Sequence, residues 1–322
     1  MNIETPLPNQ SFTILRDPES LPGHLANPVV ALGNFDGVHR GHAAVINRAR
    51  ALAIRLGKPC MVLTFEPHPA DFFAGRSVVF RLTPETAKAQ SLSRLGLNGM
   101  VVLSFNKMLA TMQAEDFVQD LLIGRLGISA AVAGYDFHFG KGRAGSPGFL
   151  KDAGQRLGFV VEIIQKIVAD QDGSLEAVHS GATREALERG DVGLARRLLG
   201  HKYFVTGTII HGQKLGRTLG FPTANLQLDP SSKLRHGIYA VRMEVDGETH
   251  DGVASWGRRP TVDNGAPLLE VFLFDFSGDL YGKKVEVGFV EWIRGEEKFD
   301  DLDTMVARIE QDEAEARAIL AR

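Results

Sequence analysis

The sequence predicts two folds in series: an α/β domain built on a parallel sheet, then a small antiparallel β-barrel closed by a terminal helix. Three observations carry this expectation. From about residue 27 to 200, short apolar runs alternate with helical patterns, and continuous apolar strands separated by helices imply a parallel sheet covered on both faces. After about residue 202, strand-like runs follow one another with turn signals between them, which is the texture of a small barrel. The stretch 300–320 then carries apolar residues at helical spacing.

In the first part, predicted strands lie at 28–32, 60–65, 100–105, 130–133 and 159–164. Helices are expected at about 42–56 and 114–126. Ligands of such sheets bind beyond the carboxyl ends of the strands. In the second part, strands are expected at 203–210, 238–245, 250–255, 268–275 and 284–292, with turns at Asp246-Gly247 and Ser277-Gly278. The closing helix presents Leu302, Met305, Val306, Ile309 and Ile319 as one apolar face, and its acidic outer face is read as solvated. No internal repeat or low-complexity segment is visible. Two domains are expected, 1–185 and 186–322.

Composition narrows the class. A chain of 322 residues is long for one core. A hydrophobic content of 44% with 23% charged residues is ordinary for a soluble globular enzyme. The net charge of −3 argues against a general nucleic-acid binder, which needs excess Lys and Arg to displace counterions. The single cysteine, Cys60, sits in an apolar run and forms no intrachain disulfide, which suits a reducing compartment. No long apolar segment is present, and residues 1–10 are polar and proline-containing rather than signal-like. A cytoplasmic protein without a membrane or nucleic-acid partner is expected, as a monomer or weak homo-oligomer.

Two constellations carry chemistry. Residues 212–226 open with Gly212, Gly216 and Gly220 spaced four apart, add Lys214 and Arg217, and end in Pro222-Thr223-Ala224-Asn225. Glycines let backbone N–H groups approach an anion, while Thr and Asn oxygens suit a hard cation, so the stretch reads as a Mg-nucleotide site. A turn-rich connection between strands is the plainer alternative. The spacing matches neither a Walker A loop nor the Gly-x-Gly-x-x-Gly fingerprint. Earlier, Gly33-Asn34-Phe35-Asp36-Gly37-Val38-His39-Arg40-Gly41-His42 leads from the first predicted strand into a helix. Two histidines beside first-turn N–H groups read as a phosphate site able to stabilise developing charge. A metal pair and purely structural histidines are the alternatives.

The histidine segment looks like the His-x-Gly-His signature of nucleotidyltransferases, and residues 212–226 look like the Pro-Thr-Ala-Asn element of riboflavin kinases. Both in this order resemble the bifunctional prokaryotic riboflavin kinase/FAD synthetase family. Thr64-Phe65-Glu66-Pro67-His68-Pro69, Gly134 to Gly140, Gly257 to Thr261, Leu269-Glu270-Val271, Asp279-Leu280-Tyr281-Gly282 and Glu297-Lys298-Phe299 extend the likeness over about residues 12–320. It implies a Rossmann-like nucleotidyltransferase domain followed by a riboflavin kinase barrel. The barrel would phosphorylate riboflavin with ATP to FMN; the first domain would join AMP from a second ATP to FMN, giving FAD and pyrophosphate. Mg²⁺ would accompany ATP, and FMN and FAD would be products rather than prosthetic groups.

The resemblance also implies residue roles. Thr223 and Asn225 match Mg-nucleotide ligands, Gly212 to Gly220 with Lys214 and Arg217 the phosphate cradle, and Glu270 the general base for the riboflavin hydroxyl. Taken alone, Glu270 is an exposed strand carboxylate by default. Arg259 and Thr261 lie in a loop that borders the flavin in the family. His39 and His42 would hold ATP phosphates with Gly33, Asn34, Phe35 and Asp36, although Asp36 equally reads as a turn or cap residue. Glu66 and His68, with Asp136, Phe137 and Phe139, fall where the flavin would bind; the aromatics around His138 also read as plain packing. Gly140, Lys141 and Arg143 add positive character there.

One element departs from the pattern. Where the family carries Ser-Ser-Thr-x-Ile-Arg, this chain reads His179-Ser180-Gly181-Ala182-Thr183-Arg184. Ser180 and Arg184 persist as phosphate ligands, while two hydroxyls are replaced by His179 and Gly181. Helix N–H groups approached through Gly181, or His179 itself, stand in for them. A riboflavin kinase with an inactive adenylyltransferase domain is the alternative resting on these residues. A non-catalytic flavin- or nucleotide-binding regulator would lack Glu270 or the histidine pair, and both are present.

Overall fold

The computed structural model describes residues 12–166, 178–211, 220–257 and 267–322. They form two units, one of Met1–Val79 with Thr83–Val178, the other of Phe80–Leu82 with His179–Arg322.

In the first unit, apolar runs become six parallel strands: β1 (Thr13–Arg16), β2 (Val29–Leu32), β3 (Cys60–Glu66), β4 (Gly99–Ser104), β5 (Ala130–Gly134) and β6 (Val160–Ile164). The sheet order is β1-β4-β3-β2-β5-β6. Along β2, Val30 and Leu32 enter one apolar cluster and Val29 and Ala31 another, so alternate residues feed cores on both faces. Helix α1 (Arg40–Leu56) buries Val45, Ile46, Ala49, Leu52 and Ala53 at helical spacing and stops at Gly57, whose φ of 62° is left-handed. After α1 come α2 (Pro69–Ala74), α3 (Glu85–Arg94), α4 (Lys107–Thr111), α5 (Ala114–Asp116) and α6 (Pro147–Leu157).

The helix expected at 114–126 takes a different form. Only Ala114–Asp116 is α-helical; Phe117–Arg125 winds as a π-helix, whose wider turn brings Phe117, Val118, Leu121 and Leu122 onto the core together. The sequence order passes from β2 through β3 to β4 and then returns to β5 on the other side of β2. In sheets of this kind ligands bind where the strand order reverses, which here is at the carboxyl ends of β2 and β5.

Besides Phe80–Leu82, the second unit runs from His179 and carries α7 (Ser180–Glu188) and α8 (Val192–Leu199); the sequence placed the division after residue 185. Its strands are β7 (Phe204–Thr208), β8 (Thr223–Leu226), β9 (Gly237–Val245), β10 (Glu248–Gly257), β11 (Leu268–Leu273) and β12 (Lys284–Arg294). They pair antiparallel in the order β7-β12-β9-β10-β11-β8. An isolated antiparallel bridge between Ile210, just beyond β7, and Asn225 of β8 brings the two edges of this curled sheet together. Leu226, Tyr239, Val241, Met243, Leu269, Val271, Val287 and Phe289 fill its interior. Phe80 and Leu82 are buried in that same core.

Helix α9 (Leu302–Leu320) covers the outer face, where Ala316, Ile319 and Leu320 meet Ala240, Val253 and Phe274. The expected apolar face holds apart from its first residue: Met305, Val306 and Ile309 are half-buried and Ile319 is buried, while Leu302 is 58% exposed, and the same stripe carries Asp312, which is 3% exposed. The guanidinium of Arg294 donates from Nε and Nη2 to the two Asp312 oxygens at 2.7 and 2.6 Å, and this bidentate pairing lets an acidic residue face the barrel. Among the described residues, no helix is long and apolar enough to cross a membrane.

Candidate active sites

The loop after β2 is bent sharply and buried. Phe35, Gly37 and Val38 have φ of 49°, 85° and 42°, and Phe35 and Val38 are bulky residues for which such values are strained. Surrounding groups hold the bend. The Asp36 carboxylate accepts from Thr83 N at 2.9 Å, Gly37 N donates to Thr83 Oγ1 at 2.8 Å, and Thr64 Oγ1 donates to the Asn34 carbonyl at 2.9 Å. Asp36 is 2% exposed, so its carboxylate works inside the loop as a strut.

This clamped loop delivers the two histidines to the mouth of α1. His39 is the N-cap, and its Nδ1 accepts from His42 N at 3.2 Å. A neutral imidazole that accepts at Nδ1 carries its proton on Nε2, which makes His39 a donor from that nitrogen. The His42 ring stacks on it with centroids 3.6 Å apart, and Phe35 meets His42 edge-on at 5.3 Å. A Cβ on residue 41 would lie 3.1 Å from His39 Cε1, so Gly41 gives the capping ring its room.

At the neighbouring strand ends, His68 caps α2 through Nδ1, which accepts from Ala70 N at 3.2 Å. Glu66 Oε1 accepts from the buried Lys88 Nζ at 3.0 Å. After β5, Asp136 and His138 are exposed and Phe137 is partly buried. Phe139 is 6% exposed, with its ring centroid 4.9 Å from Phe117 and 5.6 Å from Phe137. It builds the core under this loop.

The departing segment repeats the geometry of the histidine loop. His179 caps α7, its Nδ1 accepting from Ala182 N at 3.1 Å. A Cβ on residue 181 would lie 2.9 Å from that nitrogen, so the histidine and the glycine form a matched pair like His39 and Gly41. Arg184 Nε donates to the Phe80 carbonyl at 2.7 Å, and Ser180 opens the helix. All of these residues belong to the second unit.

In the barrel, register gathers what the sequence keeps far apart. β8 pairs with β11 so that Glu270 lies directly opposite Asn225 and Phe272 opposite Thr223. Directly opposed residues project to the same side, as do residues two apart on a strand, so Thr223, Asn225 and Glu270 share one face. Ala224, Leu226, Leu269 and Val271 take the other face and fill the barrel. Asn225 is 4% exposed; its Nδ2 donates to the Thr223 carbonyl at 3.2 Å, and its own carbonyl accepts from Ile210 N at 2.9 Å. Gly220, with φ of 88°, precedes this strand. Gly212, Lys214, Gly216 and Arg217, and likewise Arg259 and Thr261, lie outside the described residues.

The FAD synthetase family matches residues 22–175, and the riboflavin kinase family matches residues 199–320. A bifunctional riboflavin kinase/FMN adenylyltransferase of Pseudomonas fluorescens is 42% identical over 91% of this chain and 93% of its own length. The enzyme of the same name from Haemophilus influenzae is 40% identical over 92% of this chain and 96% of its own. The chain belongs to the bifunctional riboflavin kinase/FMN adenylyltransferase family. A solved structure, named as a macrolide-efflux protein from Streptococcus pneumoniae, shares 29% identity with this family member at a TM-score of 0.78, covering 93% of this chain and 99% of that one.

Sequence reasoning missed Thr83 and Lys88 in this family member. Thr83 sits before a proline in a polar stretch, and nothing local marks it as the clamp of a loop far upstream. Lys88 had a faint signal: it precedes Ser91 and Leu92 by three and four residues, on the side of α3 that is buried.

Proposed function

We infer that the second unit transfers the γ-phosphoryl group of ATP to the 5′-hydroxyl of riboflavin, and that the first unit joins the resulting FMN to AMP from a second ATP. The observation that carries the kinase half is the register that sets Glu270 opposite Asn225 and on one face with Thr223. As the riboflavin oxygen bonds to the γ-phosphorus and the bond to the β–γ bridging oxygen breaks, Glu270 accepts the hydroxyl proton and ADP leaves. Thr223 and Asn225 would hold the ion through neutral oxygens, which suits one arriving with the nucleotide. Bound there, Mg²⁺ would screen the phosphate charge.

In the first unit, an oxygen of the FMN phosphate attacks the α-phosphorus of ATP, and the bond to the α–β bridging oxygen breaks to release pyrophosphate. The nucleophile is already anionic, so orientation and charge stabilisation are the tasks left to the protein. His39, donating from Nε2, and the stacked His42 are assigned to the ATP phosphates, and the mouth of α1 supports them. The segment around His68 with Asp136 and Phe137 is assigned to the flavin, beyond the carboxyl ends of β3 and β5.

The test is to incubate the protein with riboflavin, ATP and Mg²⁺ and to separate the products by chromatography. FMN followed by FAD is expected. FMN without FAD, even when FMN is supplied, would leave only the kinase half standing; neither product would remove both.

A further inference from the structure

Lys88, on α3, has a side chain only 1% exposed, and a lysine is rarely so buried unless its charge is matched. Its ammonium donates to Glu66 Oε1 at 3.0 Å and to Thr64 Oγ1 at 3.1 Å. These acceptors are two residues apart on β3 and share a face at the carboxyl end of the strand. An ammonium only donates, so Thr64 accepts from it and keeps its single hydroxyl proton for the Asn34 carbonyl, 2.9 Å away. One buried cation thus orients the start of the histidine loop through Thr64 and the last residue of β3 through Glu66.

We propose that Lys88 is a positioning residue for FAD formation, one that aligns Asn34 through Thr64 and cancels the Glu66 carboxylate where two polyanions must meet. The inference rests on the reading that the first unit adenylylates FMN. ATP and FMN both bring phosphates to the carboxyl ends of these strands, and an uncompensated carboxylate there repels both. The Lys88–Glu66 pair places a structural carboxylate at that edge without adding net negative charge. Two separable effects follow. Loss of the cancelling charge weakens anion binding and appears in KM; loss of the Thr64 relay misplaces the histidine loop and appears in kcat.

The experiment measures FAD formation from supplied FMN and ATP for the full chain, for K88M and for the double variant K88M/E66Q, with riboflavin phosphorylation by each preparation as the internal control. In K88M both KM values rise and kcat falls, lowering kcat/KM by about a hundredfold. In K88M/E66Q, which removes both charges, the KM for ATP returns to within about threefold of the unsubstituted chain, while kcat stays lowered because the relay is still missing. The double variant removes both members of the Lys88–Glu66 pair together, so it decides the matter even if K88M alone does not fold. Unchanged kinetics in K88M, or a KM for ATP in the double variant that remains far above that of the unsubstituted chain, would overturn the proposal. An unsubstituted chain that forms no FAD would instead overturn the functional reading.

Discussion

Around His39 the backbone is driven into left-handed conformations and held there by side chains, whereas around Asn225 it is a regular strand held by ladder hydrogen bonds. Asp36, Thr64, Thr83 and Lys88 all serve the first arrangement without being its reacting groups. In the second, Asn225 and Glu270 are opposed simply because their strands are paired. The difference says where each site is vulnerable. A strained loop fails when any of its supports is removed, because its own conformation has no local preference for the bend. A ladder tolerates side-chain replacement, so a strand-borne site fails chiefly at the group that does the chemistry.

The largest effect is therefore expected at Glu270. Glu270→Gln removes the proton acceptor but leaves the β8–β11 ladder intact, since backbone groups make it. FMN formation should fall by a factor of about 10²–10⁴ with no comparable loss of stability. FAD formation from supplied FMN, followed by chromatography, should be unchanged. Equal loss of both activities would contradict separate sites, and persistence of FMN formation would remove Glu270 as the base.

Thr83 gives the opposite case, a residue remote from any reacting atom whose loss should still silence a site. Thr83→Val keeps shape and volume but removes the oxygen that accepts from Gly37 N. The abandoned N–H lies in a buried loop, a penalty of about 1–3 kcal/mol. Thermal unfolding of the first unit should shift down, and FAD formation should fall with kcat affected more than KM. Riboflavin phosphorylation should hold. If the variant matches the unsubstituted chain in FAD formation, the loop is not held by this clamp.

Those two residues also show how much was legible in the sequence. The histidine loop was readable because its residues are contiguous and its chemistry is local: a strand end, glycines, a cap and two imidazoles. The alternation of apolar runs likewise gave the parallel sheet, and the turn-separated strands gave the barrel. Glu270 acquired its place beside Asn225 only through register, a tertiary property; the resemblance supplied its role as base but not that pairing. Lys88 sits in a polar helix where a lysine reads as solvated, and its burial depends on acceptors from another element. The acidic residues of the closing helix read as solvated, and Asp312 departs from that for the same reason, because its partner Arg294 comes from β12. The π-helix at Phe117–Arg125 escaped because a period of 3.6 was assumed where packing selects a wider turn.

The smallest effect concerns the departing segment, and it tests whether the two histidine caps are the same device. Gly181 has no Cβ, and one added there would lie 2.9 Å from the His179 nitrogen that caps α7. Gly181→Ala should push the ring off the Ala182 N–H and cost about 1 kcal/mol, the usual value of an N-cap. The family's hydroxyl residues make the converse pair, so Gly181→Thr combined with His179→Ser should recover that stability, because a serine cap leaves room for a side chain at 181. Thermal denaturation of the single and double variants separates the two contributions. Recovery would mean that His179 and Gly181 act as one cap, of the kind already present at His39 and Gly41. A Gly181→Ala variant as stable as the unsubstituted chain would show that the ring at 179 can move aside, and would break the parallel between the two caps.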